Sequence, residues 1–181
     1  MPHLSLQQHL ENLITGWEGE CVEFKEANDN FSTSDIGKYF SALSNEANLR
    51  GIPSAWLVFG VNNQRQVVGT GYRQDPERLQ SLKHQIAQDV DPSTTFQDIH
   101  ELIMPEGNRV LLFQIPAAPR GIPIAWKGHF YARDGESLTA LSLAKQDEIR
   151  TQTLSEDWSA AFCPDATLDD ISPEALAKAR A

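Results

Sequence analysis

The chain has 181 residues, one domain's worth with room for a tail, and 40% hydrophobic content suffices for a core without disulfides or a structural metal. Asp and Glu number 25 against 15 Lys and Arg, a formal net charge of −10. That excludes a uniformly basic phosphate binder and means that any nucleic-acid contact needs a local basic face.

Ser5 and Gln8 form a capping box, and Leu6, Leu10 and Leu13 share one face, so the spacing predicts a helix from Ser5 that ends at Gly16. A short strand follows, in which Val22 and Phe24 alternate with Glu23 and Lys25. Ser32 or Ser34 is available to cap a helix carrying Ile36, Phe40, Leu43 and Ala47, with Gly51 as its C′ residue and Pro53 closing it. Ala55 to Val61 is an apolar run that reads as a strand covered on both faces. Asn62 to Arg65 is a turn, and Gln66 to Gly69 is expected to return as a strand. Asp75-Pro76 opens a helix with Leu79, Leu82, Ile86 and Val90 on its buried side, and Asp91-Pro92 stops it. Strands are expected at 97–104 and 109–115, a proline-stiffened loop at 116–123, strands near 123–126 and 128–133, and a short helix from Ser142. Hairpins mixed with helical crossovers predict an α+β domain, a mixed β-sheet with helices packed on it.

The texture changes at Ser155. The tail 155–181 carries six acids and two bases, and Ser172-Pro173-Glu174 is a helix start close to the end of the chain. The expected division is a domain over 1–154 and an acidic tail over 155–181 taken from a longer protein. No apolar run is long enough for a transmembrane helix, the N-terminus has no secretory pattern, and Cys21 and Cys163 form no CxxC pair or zinc spacing. Lone thiols fit a cytoplasmic protein with no membrane partner.

Three segments carry candidate chemistry. In Glu18-Gly19-Glu20-Cys21-Val22-Glu23-Phe24-Lys25-Glu26, Glu23 and Lys25 share one strand face. A carboxylate beside a lysine is the acid-x-Lys arrangement of metal-dependent nucleases, with Glu18 and Glu23 as catalytic residues and ligands of Mg2+ or Mn2+ and Lys25 on the scissile phosphate. Alternating outward charge on a solvated face accounts for the same pattern. In the second segment Gly60 interrupts the apolar run, and Asn62 and Asn63 either complete a metal shell or build the turn. In the third, residues 109–133 hold Arg109, Arg120, Lys127 and Arg133 and no acid, interleaved with Phe113, Trp126, Phe130 and Tyr131. Cations for phosphates and rings for bases suit a nucleic-acid strand. Alternation puts Tyr131 and Arg133 on the exposed side of their strand and Phe130 in the core. There is no HExxH, GxSxG, dinucleotide fingerprint or phosphate loop.

Together Glu18-x4-Glu23-Phe24-Lys25, the helical Lys38-Tyr39-Phe40-Ser41-Ala42-Leu43-Ser44-Asn45, Leu57-Val58-Phe59-Gly60-Val61 with Val67-Val68-Gly69, and Phe130-Tyr131-Ala132-Arg133-Asp134-Gly135-Glu136-Ser137 resemble the Schlafen/AlbA-type DNA-binding domain family, over about residues 15–150. The resemblance implies an α+β nucleic-acid-binding domain, often at the N-terminus of a longer ATP-binding or transcriptional-regulator-like bacterial protein. In animal Schlafens related lobes form a metal-dependent endoribonuclease with three carboxylates. Glu18 and Glu23 match two of these, whereas Asn62 and Asn63 stand where the third belongs. Three functions are thus expected in turn: binding of DNA or RNA through Arg109, Arg120, Lys127, Tyr131 and Arg133; Mg2+- or Mn2+-dependent RNA cleavage; or a protein–protein module, such as a homodimer, without nucleic acid.

Overall fold

In the computed structural model, residues 5–16 and 19–152 are described, together with Ser172 and Lys178. The expected tail, its helix start at Ser172 and Glu18 are otherwise outside the described residues.

The first helix, α1, spans Leu6–Thr15. Ser5 and Gln8 close the expected capping box, and Gly16 caps its C-terminus. Strand β1 (Val22–Lys25) leads to α2 (Thr33–Leu49), which starts on the Ser32 cap, one of the two serines expected there. Gly51, with φ +65°, takes the left-handed turn that follows α2. The apolar run forms β2 (Ser54–Phe59). After α3 (Pro76–Asp89), Val90 leaves the helical surface and begins the two-residue β3 (Val90–Asp91). Strands β4 (Asp98–Ile103) and β5 (Arg109–Pro116) form a hairpin. Strands β6 (Ala125–Trp126), β7 (His129–Asp134) and β8 (Ser137–Ala140) precede α4 (Leu143–Arg150), capped by Ser142 as expected.

Two four-stranded sheets result. One has the order β1-β2-β5-β4, with β1 parallel to β2 and the other pairs antiparallel; the second has the order β3-β6-β7-β8. This is the expected α+β class, with a mixed sheet and helices on it. Gln66–Gly69 does not form the expected strand, and only the Val61–Val67 bridge survives. Gly60 and Gly69, with φ +96° and +85°, bend the chain out of the extended path on both sides of it. A Cβ on Gly60 would lie 2.8 Å from the Arg109 carbonyl.

Strand alternation divides the first sheet into two buried faces. Phe24, Val58, Val110 and Leu112 pack with Leu10 of α1, while Leu57, Phe59, Leu111 and Phe113 pack with Ile36, Phe40 and Leu43 of α2. The second sheet is tied to α2 by neutral polar groups. The Asn45 amide donates to the carbonyls of Ile124 and Tyr131 (both 3.0 Å) and accepts from the Ile124 N–H (2.8 Å). Ser41 donates to Ile124 O (2.8 Å) and accepts from Tyr131 N–H (3.1 Å), and Ser44 donates to Pro116 O (2.7 Å). Every one of these groups is buried and satisfied, so the polar stripe fixes where β7 lies on α2. Gly37 lets the Trp126 ring lie directly on the helix, since a Cβ there would come within 2.4 Å of the indole.

Candidate nucleic-acid interface

Because Val22 and Phe24 face α1, Glu23 and Lys25 face the α2 side of β1. There β7 delivers Arg133. The Glu23 carboxylate is 6% exposed; Lys25 Nζ lies 2.6 Å from one of its oxygens, and an Arg133 Nη pairs with the other. Arg133 also donates to the Gly135 carbonyl from Nε and Nη2 (3.3 and 3.0 Å), and its backbone N–H donates to Glu46 (3.4 Å). Glu46, on α2, holds Lys145 of α4 at 2.6 Å. Burial pushes the Glu46 carboxyl above its ordinary value, against the opposing pull of Lys145. Burial acts the same way on Glu20, but the Arg50 ion pair outweighs it, and the Glu20 carboxyl sits below its usual value. Burial pushes the Cys21 thiol up to about 11, so it stays protonated and inert.

Beside this cluster is a small cleft of about 120 Å3, lined by Glu23, Phe24, Lys25, Asn63 and Glu136. The two asparagines after the central strand have separate tasks. Asn62 is 8% exposed and closes the turn, its Oδ1 accepting from Gln66 N–H (2.8 Å). Asn63 is exposed and lines the cleft. A divalent cation does not fit the described donors. Both Glu23 oxygens serve cations of the protein, the Asn62 oxygen serves the turn, and no group of three His, Cys, Asp or Glu side chains converges among the described residues.

The residues singled out from 109–133 do not share one site. Arg109 is withdrawn into the fold, its guanidinium 2.7 Å from Glu101 and donating to the carbonyls of Tyr72 (2.6 Å) and Arg73 (3.3 Å). Arg120 is exposed on a broad groove with Asn48, Arg50 and Gln152. Lys127 is exposed in the β6–β7 turn, 3.3 Å from Asp89 and stacked over Trp126. Arg133, expected on an exposed strand face, is 2% exposed. The alternation rule failed there because α2 and β1 cover that side of β7, and Glu23 supplies the counter-charge. Phe130 and Tyr131 are both half-buried.

The structure brings Tyr131 instead to a patch made with residues that charge counting passed over. Lys25 Nζ lies 5.1 Å from the centre of the Tyr39 ring. Lys38, one position earlier on α2, is hydrogen-bonded to Asp35 (2.9 Å), which raises its pKa, with smaller contributions in the same direction from Tyr131 and Tyr39. Lys25, with the half-buried Tyr39 ring beside it, lines the Glu23 cleft, while Lys38 and Tyr131 lie outside its lining. Lys38 and Tyr39 open the helical motif that carried the family resemblance, and that placement was their one sequence signal.

Residues 18–142 match the family described as Schlafen, AlbA_2. Among solved structures, the chain is similar to the DIP2311 protein of Corynebacterium diphtheriae, with 22% identity and a TM-score of 0.55, covering 97% of this chain and 33% of that one. The chain thus spans a third of that protein's length. It is also similar to the N-terminal domain of a RecG-related protein, assigned as an ATP-dependent DNA helicase, from Nitrosomonas europaea, with 20% identity and a TM-score of 0.46, covering 78% of this chain and 95% of that one. No curated protein matches the sequence. With the match extending over more than half of its length, from the acidic approach to β1 as far as the cap of α4, the chain belongs to the Schlafen, AlbA_2 family.

Proposed function

We propose that this chain is a nucleic-acid-binding module of a longer cytoplasmic regulatory protein, and that it binds DNA or RNA through the face where α2 meets β1 and β7. The observation that carries the reading is the Lys25–Tyr39 pair with Lys38 and Tyr131 beside it, in a family associated with nucleic acid. Cations beside aromatic rings hold phosphates and bases together, which neither group does alone. The acidic net charge makes such binding weak and sensitive to salt. Lys127 and Arg120 are exposed elsewhere and add long-range attraction rather than contacts at the patch. A nuclease reading has less support, because Glu23 is engaged by Lys25 and Arg133.

The test is fluorescence anisotropy of labelled single- and double-stranded DNA and RNA, titrated with the 181-residue chain at rising salt. Binding at low salt that falls linearly in a plot of log affinity against log salt supports the proposal, with a slope near −0.7 to −0.9 per phosphate contacted. Absence of binding to every probe at low salt overturns it and favours the protein–protein reading.

A further inference from the structure

A broad groove of about 720 Å3 lies where the C-terminal ends of α2 and α4 meet the loop after β5. That is within the range of about 300–1,000 Å3 that holds compact ligands. Its apolar part is Ile52, Pro53, Ala117 and Ala118, its cations are the exposed Arg50 and Arg120, and no carboxylate is among its described lining residues. Glu20 answers Arg50 from outside the lining, so Arg120 supplies the positive charge that the groove leaves uncompensated. The wall is held by amides. Asn48 donates to the carbonyls of Ala118 and Pro119 (2.8 and 3.3 Å), and Gln152 Nε2 donates to Asn48 Oδ1 (2.7 Å). Gln152 Oε1 is buried and finds no hydrogen-bond partner among the described residues, which leaves one acceptor open at this wall.

An apolar surface beside an uncompensated cation selects an occupant that carries both apolar groups and an acid. A bare phosphate gains nothing from Ile52 and Pro53, and a purely apolar chain covers Arg120 without answering its charge. The sequence that follows Gln152 has the required chemistry. Glu156, Asp157, Trp158 and Phe162 all fall within ten residues of it, and Trp158 and Phe162 stand four apart, the anchor spacing of a helix laid into a groove. We infer that the segment 155–163 of this chain docks in the groove, Trp158 and Phe162 on the apolar part and Glu156 and Asp157 on the side of Arg120. Six residues separate Gln152 from Trp158, a tether of at most about 20 Å, which spans the groove from its own wall. A short tether keeps its end at an effective concentration of about millimolar, so a weak contact suffices. Along α2 the groove end at Arg50 is twelve residues from Lys38, about 18 Å. The docked segment therefore leaves the Lys25–Tyr39 face open, and the inference stands apart from the nucleic-acid reading.

The two cysteines supply the probe. Cys21 is buried and its thiol stays protonated, so a thiol-reactive nitroxide placed on the full chain attaches at Cys163, next to Phe162. Paramagnetic broadening is then read on the amides of the isotope-labelled chain. The expected result is that Gly51, Ile52, Ala117 and Ala118 lose most of their signal while Lys38 and Tyr39 keep theirs. Trp158→Ser and, separately, Arg120→Glu are each expected to restore the groove signals; Arg120 is exposed, and unchanged thermal melting checks the folding of both variants. Groove amides that are not broadened overturn the inference. So does broadening that survives either variant, which belongs to a loose tether near Gln152. A mixture of isotope-labelled chain without nitroxide and unlabelled chain with it completes the test: no broadening is expected, and broadening of the groove there assigns it to a second copy and overturns docking within the chain.

Discussion

The two faces of the first sheet bury similar side chains and are closed by different means. On the α1 face the contacts at the centre are apolar: Leu10, Val58, Val110 and Leu112 meet without an ion pair, the His9 ring lies against Trp56 at 4.5 Å, and polar contact is confined to the helix end, where Arg65 donates to the Ile14 and Gly16 carbonyls (3.2 and 2.8 Å). On the α2 face an apolar centre is flanked by polar groups, first the neutral Ser41, Ser44 and Asn45 and then the paired Glu23, Glu46, Arg133 and Lys145. Apolar burial is non-directional and holds a helix on a sheet, whereas hydrogen bonds and ion pairs fix one register. The α2 face is therefore where a second sheet can be held in a single position, and it is also where Lys25 and the Tyr39 ring beside it, both half-buried, reach the surface.

The largest effect is expected where that polar order is broken. Arg133→Met leaves the buried Glu23 with Lys25 alone, and breaking a buried pair costs about 3–5 kcal/mol. The midpoint of urea denaturation would fall accordingly; an unchanged midpoint would mean that the pair is dispensable. Leu10→Ala tests the apolar face. Leu10 is fully buried, and its loss is expected to cost about 2–4 kcal/mol while leaving nucleic-acid affinity intact wherever the protein is folded. A matching loss of affinity would show that the two faces are coupled.

A third test separates the faces by pH. Burial, and then the neighbouring His100, lower the His9 pKa below its ordinary value of 6.5. The folded protein therefore prefers neutral His9. That contribution is complete above the unfolded value, near 6.5, and is lost as the pH falls through the window below it toward the folded value. Thermal melting of the native chain should fall more steeply below that pH than melting of His9→Phe, which keeps a ring on Trp56. Parallel curves would remove His9 from the account.

Much of the fold was legible because local signals agreed with one another. Caps at Ser5, Asp75 and Ser142 and the alternating apolar strands all mark elements that stand in the structure. The strand β8 was not expected, since Ser137-Leu138-Thr139-Ala140 alternates over only four residues and holds a single β-branched one, and it pairs because the Asp134–Ser137 register closes a tight turn on β7. The site was less legible for one physical reason. Counting charges along 109–133 cannot show which cations are used inside the fold. Arg109 serves Glu101 and two carbonyls, and Arg133 serves Glu23 and Gly135. The acid that holds Arg133 lies on β1 and the carbonyls that hold Arg109 lie in the loop before α3, so no short window of sequence contains both members of those pairs. Glu23 and Lys25 were found because they lie two apart on one strand.

The most direct measurement is a side-by-side anisotropy titration of one single-stranded oligonucleotide with four proteins: the native chain, Lys38→Glu, Tyr39→Ala and Lys127→Glu. All three positions are at least partly exposed, and melting curves check their folding. The account predicts that Tyr39→Ala costs about 1–3 kcal/mol for a lost base contact, that Lys38→Glu weakens binding and flattens the salt slope by about 0.7 per phosphate, and that Lys127→Glu changes little. Strong loss with Lys127→Glu, and none with the two patch variants, would contradict it.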